Sequence, residues 1–192
     1  MSDSNSAASA RFRPSRNPAP VAIDTLLNFR IFQGLNRPDA TRVSETMTRM
    51  SFDAGSRILH EGKSIQALWI ILQGRCIVTR TAGNGDQMVL AELSDGDVFG
   101  EMSFVRSAPH SATITANSPV TVCTFTREDF LLLAKERPEV GFRISSNIAS
   151  VLAERLRRMD TWICELVDRP EAESHRDEWQ KFRSAVYTNW SL

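Results

Sequence analysis

Phe99-Gly100-Glu101-Met102-Ser103-Phe104-Val105-Arg106-Ser107-Ala108-Pro109-His110-Ser111-Ala112-Thr113-Ile114-Thr115-Ala116 is the stretch on which the reading of this chain turns. It joins a glycine, a carboxylate, a short turn closed by a proline, and small hydroxyl or methyl residues leading into a β-patterned run. A Gly100-Glu101-Met102-Ser103 turn can present consecutive backbone N–H groups, which form a nest for an anionic oxygen. Glu101 cannot ligate that anion, because like charges repel. It can accept hydrogen bonds from sugar hydroxyls beside a phosphate. The pattern suits a molecule carrying both a phosphate and a ribose.

Outward from this stretch, Ser51 to Thr126 has the rhythm of short β-runs punctuated by glycine turns. Arg57–His60 runs into Glu61-Gly62, and Leu68-Trp69-Ile70-Ile71-Leu72 ends at Gln73-Gly74. Gly83-Asn84-Gly85-Asp86 and Ser94-Asp95-Gly96-Asp97 are hairpin turns, and between them Val89, Ala91 and Leu93 are expected to share one face. Ala112–Ala116 and Val120–Phe125 form the last pair, joined by Asn117-Ser118-Pro119. Regular short strands of this kind imply an antiparallel sandwich or jelly roll.

At these residues the chain resembles the cyclic-nucleotide-binding domain family, the sensory half of catabolite-activator-like proteins. In that family a Phe-Gly-Glu-Met/Leu-Ser/Ala run, followed by Pro-Arg-Ser-Ala-Thr, forms the phosphate-binding cassette. The resemblance extends from about Ile31 to Asp160. It implies a mainly β fold with flanking α: an antiparallel β jelly roll, or double-stranded β-helix, with N-terminal helices and a long C-terminal helix. It also implies that Glu101 binds the ribose 2′-hydroxyl, while Phe99, Gly100, Met102, Ser103, His110, Ser111, Ala112 and Thr113 complete the ligand site. The implied ligand is cAMP or cGMP, with no further cofactor.

One residue departs from the family pattern. His110 stands where the family has its phosphate-pairing arginine. Arginine is a fixed, always-charged fork; histidine carries charge only near or below a pKa of about 6.5. Losing a bidentate charge-assisted contact costs roughly 1.5–3 kcal/mol, or about 10- to 100-fold in affinity. If the imidazolium pairs with phosphate, affinity should fall as pH rises through that pKa. Arg106, on the cassette turn, is the other candidate for the charge.

The helices frame this core. Ile23–Phe29 reads as a short helix, and Asn36 as the N-cap of another carrying Val43, Met47 and Met50. Thr126, with Asp129 in the capping-box position, opens a helix ending before Pro138. From Pro138 a longer helix runs with Val140, Ile144, Ile148, Val151, Leu152, Arg155, Leu156, Met159, Trp162, Ile163 and Leu166 on a nearly continuous apolar stripe. In the resembling family this helix pairs two subunits and closes over the ligand's base. A homodimer through it is therefore expected, with Arg155, Met159 and Trp162 as lid residues. Apolar residues at helical spacing also fill a core or a dimer seam, and that reading of Trp162 stands beside the lid.

The domain layout that follows is a disordered tail over residues 1–20, a nucleotide-binding-like domain over 21–168, and an extension over 169–192. The domain divides into a β-roll at about 51–126 and helices at 127–168. The extension carries Trp179, Phe182, Val186, Tyr187 and Trp190 at helical spacing. It is too short for the helix-turn-helix domain of catabolite-activator-like transcription factors, so direct DNA binding is not expected.

Composition agrees with a binding domain. Across 192 residues, Lys+Arg and Asp+Glu are each 23, which leaves no overall basic excess to draw nucleic acid. Cys76, Cys123 and Cys164 are far apart and show no CxxC spacing, so they read as plain thiols. No apolar run approaches a membrane helix and the N-terminus lacks a signal-peptide segment, so a cytoplasmic protein is expected. The three histidines lack metal-ligand spacing, and no nucleophile has an activating base nearby in the sequence. The chain is thus read as non-enzymatic: a cyclic-nucleotide sensor that signals through its long helix to an unidentified protein partner. The alternative is a dimeric protein-interaction adaptor with a non-binding pocket.

Overall fold

The computed structural model describes residues 15–17 and 20–167. Nine strands and five α-helices follow in chain order: β1 Ser15–Asn17, α1 Ile23–Asn28, α2 Arg37–Thr46, β2 Thr48–Phe52, β3 Arg57–Leu59, β4 Ala67–Gln73 and β5 Cys76–Thr81, then β6 Gln87–Leu93, β7 Val98–Phe99, α3 Glu101–Val105, β8 Thr113–Ala116, β9 Val120–Thr126, α4 Arg127–Glu136 and α5 Pro138–Val167. A 3-10 turn, Arg30–Phe32, lies between α1 and α2. One sheet has the order β1-β2-β9-β4-β7 and the other β3-β8-β5-β6, with every pairing antiparallel. This is the jelly roll expected from the strand rhythm.

The core has two compartments because β4 and β9 are buried on both faces. Ala67, Trp69 and Ile71 of β4 join Met50, Phe52, Ile58, Leu59, Cys76, Phe99, Ile114, Ala116, Val120 and Val122 inside the roll. Leu68 and Ile70 alternate onto the other face and are equally buried. A second aromatic cluster includes Phe125 of β9, with ring centroids 6.2 Å from Phe32, Phe104 and Phe130. Phe104 comes from α3 and Phe130 from α4, so this cluster ties the cassette to the helices.

Local signals set the helix ends. The Asn36 side chain accepts the Asp39 N–H at 2.8 Å, and the Thr126 hydroxyl oxygen accepts the Asp129 N–H at 3.1 Å. Gly141 of α5 lies so close to α4 that an added Cβ would sit 2.5 Å from Ala134 Cβ. Asn147 Nδ2 donates to the carbonyls of Ile31 at 3.2 Å and Gln33 at 2.9 Å. The chain divides into one compact unit through Asn147 and a second from Ile148, whose described part is the remainder of α5.

Three details differ from the sequence reading. Helix α2 stops at Thr46, and Met50, expected on its face, lies in β2 paired with Val122. Its β-branched and aromatic neighbours in β9 offer that segment a full ladder, which outweighs the helical spacing. Val89 and Leu90 are both exposed, because a bulge shifts the β5–β6 register so that Val78 opposes Ala91 while Thr79 opposes Val89. The extra residue breaks the two-residue alternation that put Val89, Ala91 and Leu93 on one face. Finally, Ser15–Asn17, inside the stretch read as a tail, pair as an edge strand with Ser51, Met50 and Arg49. Backbone pairing along an open edge needs no apolar side chains, so composition carries no sign of it. The aromatic positions of the 169–192 extension lie outside the described residues.

Candidate functional site

Gly100 creates the site's geometry. It sits at φ +81 as the residue before α3, and a Cβ there would lie 2.6 Å from the Ala67 carbonyl oxygen and 3.0 Å from Trp69 Cδ1. Only glycine reaches that left-handed conformation this close to a neighbouring strand. Phe99, just before it, stacks on Trp69 at 5.9 Å with 12° between the rings. The expected turn is in fact a short helix. Glu101, Ser103 and Phe104 point inward from it, while Met102 and Val105 are exposed. Arg127, the first residue of α4, closes its far end by donating from Nη1 to the Val105 carbonyl at 2.6 Å and to the Phe104 carbonyl.

The return segment lies against α3. His110 is only 6% exposed and bonds in four directions. Its backbone N–H donates to the Lys63 carbonyl at 2.7 Å, and its carbonyl accepts from the Gly62 N–H at 2.9 Å. Its ring Nε2 accepts the Ile65 N–H at 3.2 Å, and Nδ1 lies 2.9 Å from Ser103 Oγ. A backbone N–H can only donate, so Nε2 is the acceptor nitrogen and the proton resides on Nδ1, which donates to Ser103. Ser111 Oγ approaches Met102 Sδ at 4.0 Å, and Thr113 Oγ1 accepts the Glu61 N–H at 3.1 Å.

The structure thus brings the Gly100–Ser103 and His110–Thr113 segments together through the Ser103–His110 and Met102–Ser111 contacts. His110 behaves differently from the imidazolium that the sequence reading pairs with phosphate. Both ring nitrogens are committed to the protein, and burial pushes the pKa below its ordinary 6.5. The ring is a neutral bracket between α3 and the β3–β4 turn. Nothing in the local sequence signals this, since the Ile65 partner is 45 positions away.

A pH dependence follows. Folded His110 has the lowered pKa, so the unfolded chain takes up the proton first as pH falls. Its stabilising contribution is complete above about pH 6.5 and is lost as pH falls towards and through the folded value. Urea unfolding at pH 7.5 and 5.5 should show wild type losing more stability on acidification than His110→Gln, by at most about 1.4 kcal/mol per pH unit. Equal losses would mean that His110 is not held neutral.

Two further residues were not legible as parts of the site. Arg127 looks like an ordinary first-turn helix residue, and the role of Phe104 depends on a ring from each of β9 and α4. Trp69 Nε1 is buried without a hydrogen-bond partner, beside the position a Gly100 Cβ would take. Arg155, Met159 and Trp162 lie on α5 beyond Asn147, in the second unit, where Met159 and Trp162 are 48% and 58% exposed. Burial pushes the Cys76 thiol up to about 11 and Cys123 up to about 12, which suppresses thiolate chemistry. Among the described residues, no three metal-ligating side chains gather, and no helix is long and apolar enough to cross a membrane.

Residues 49–137 match the family model described as the cyclic nucleotide-binding domain. Those residues are a cyclic nucleotide-binding domain. The chain is 32% identical over 130 residues to the cyclic AMP receptor protein of Thermus thermophilus, a match covering 68% of this chain and 58% of that protein. The crystal structure of the Thermus thermophilus catabolite activator protein superposes with a TM-score of 0.64, at 30% identity over 71% of this chain and 62% of that one. A cyclic nucleotide-binding domain from Methylobacillus flagellatus shares the fold, with a TM-score of 0.70 at 21% identity over 74% of this chain and 83% of that one. The chain therefore spans under two thirds of the Thermus proteins it matches. Within the domain, α3 and the His110–Thr113 segment are the two segments that the sequence resemblance assigns to the cassette.

Proposed function

We propose that the chain is a non-catalytic, cytoplasmic regulatory sensor that takes a ribose-bearing ligand in the cassette, a cyclic nucleotide such as cAMP or cGMP or its parent nucleoside. The observation that carries this reading is the junction of α3 with the His110–Thr113 segment around a Glu101 that is only 5% exposed. A buried carboxylate accepts several hydrogen bonds, which suits the donor hydroxyls of a ribose. The contacts of Ser103 with His110 and of Met102 with Ser111 across this junction support the reading in which Phe99 to Ser103 and His110 to Thr113 meet one ligand.

Signalling would leave the cassette through α4. The Phe104 ring lies 5.3 Å from Phe130, and Arg127 holds the α3 carbonyls, so a shift of α3 must move α4 or break both ties. Helix α4 meets the start of α5 at Ala134 and Gly141 without a spare side chain between them. A ligand changes this arrangement only by favouring one helix position over another. On the second half of α5, Leu156, Met159 and Trp162 recur every three residues and are exposed, which suits pairing with a second copy and presentation to a protein partner.

The neutral His110 favours a second reading, in which the domain is an adaptor that binds no ligand. Thermal shift separates the two. Saturating cAMP, cGMP, cyclic dinucleotides or the parent nucleosides should raise the melting temperature if the native state binds any of them. Glu101→Ala should weaken that ligand about 10- to 100-fold. No shift with any member of the panel would leave the adaptor reading.

A further inference from the structure

We infer that the cassette selects an uncharged ribonucleoside over the corresponding cyclic phosphate. This rests on the reading of the cassette as a site for a ribose-bearing ligand, and it names the class of ligand within that reading. His110 occupies the position where a phosphate-pairing cation is expected, and it brings no cation. Its Nε2 lone pair is taken by the Ile65 N–H and its Nδ1 proton by Ser103 Oγ. Turning the ring outward towards an anion would break both bonds, to the Ile65 N–H and to Ser103 Oγ.

The remaining features of the cassette also disfavour an added negative charge. Glu101 is a carboxylate on the same short helix as Ser103, and an unpaired phosphodiester beside it meets repulsion in a poorly solvated place. Helix α3 has five residues, little more than one turn, so its end carries only a fraction of a full helix charge. Ribose hydroxyls meet none of these penalties, because they donate to Glu101 and carry no charge to desolvate. The cassette thus keeps the recognition of sugar and lacks the anchor for phosphate.

Isothermal titration of the full chain with adenosine, guanosine, cAMP and cGMP tests this directly. The preferred nucleoside is expected to bind at least about 10-fold tighter than its cyclic phosphate. Its affinity should also change little between low and high salt, since no ion pair is screened. In His110→Arg, checked for folding by its thermal melt, the cyclic phosphate should gain about 10- to 100-fold relative to the nucleoside. A wild-type preference for the cyclic phosphate would overturn the inference and leave the sensor reading intact. If Arg106→Ala then removed that preference, the exposed Arg106 would be the missing cation. Heat from neither class of ligand would overturn the inference and the sensor reading together. Should the arginine variant fail to fold, the wild-type preference and its salt dependence still decide the matter.

Discussion

Replacing Phe104 with alanine is expected to lower the unfolding free energy by about 3–5 kcal/mol, the range for emptying a buried aromatic site. The ring is 2% exposed and lies against Phe125 and Phe130, with centroids at 6.2 and 5.3 Å. Its neighbours come from β9 and α4, whose ladder and capped helix cannot collapse inward to fill the hole. Phe104→Leu keeps much of the volume and should lose less than half as much. Urea unfolding of the three proteins gives the comparison. A loss below 1 kcal/mol for the alanine variant would remove Phe104 as the tie between the cassette and α4.

The second large effect falls on the other end of α3. Gly100→Ala places an L side chain at φ +81, which costs about 1–2 kcal/mol from backbone sterics alone. Its Cβ would also meet the Ala67 carbonyl oxygen at 2.6 Å. That oxygen belongs to the backbone of β4, which is held by β9 on one side and β7 on the other, so relief requires a shift of the ladder. Overpacking of this sort adds about 1–3 kcal/mol. A total near 2–5 kcal/mol is expected in chemical denaturation, with ligand affinity falling as Glu101 is displaced. Stability within 0.5 kcal/mol of wild type would show that the left-handed turn is not required.

Much of this architecture was legible because it depends on neighbours in sequence. Asn36 and Thr126 announce helix starts by side chains that cap their own first turns. The turn Gly83-Asn84-Gly85-Asp86 closes the β5–β6 hairpin, and the 99–116 spacing brings the two cassette segments together. What stayed hidden depends on contacts between distant residues. The same imidazole that reads as a cation in sequence is a neutral bracket in the fold, because Ile65 supplies an N–H to it. Arg127 and Phe104 acquire their roles only once α3 meets α4. The bulge opposite Val78 and Thr79 reverses the side-chain alternation of β6, and the edge strand at Ser15–Asn17 pairs through its backbone with β2.

The account depends on the cassette being where a ribose-bearing ligand binds. Backbone amide NMR during titration with adenosine, guanosine, cAMP and cGMP measures that residue by residue. The expected result is that the largest shifts occur at Gly100–Ser103 and Ser111–Thr113, smaller ones follow at Arg127 and Phe130, and Glu101→Ala moves the same shifts to about 10- to 100-fold higher ligand concentration. Shifts centred elsewhere, or a spectrum unchanged by every ligand, would contradict it.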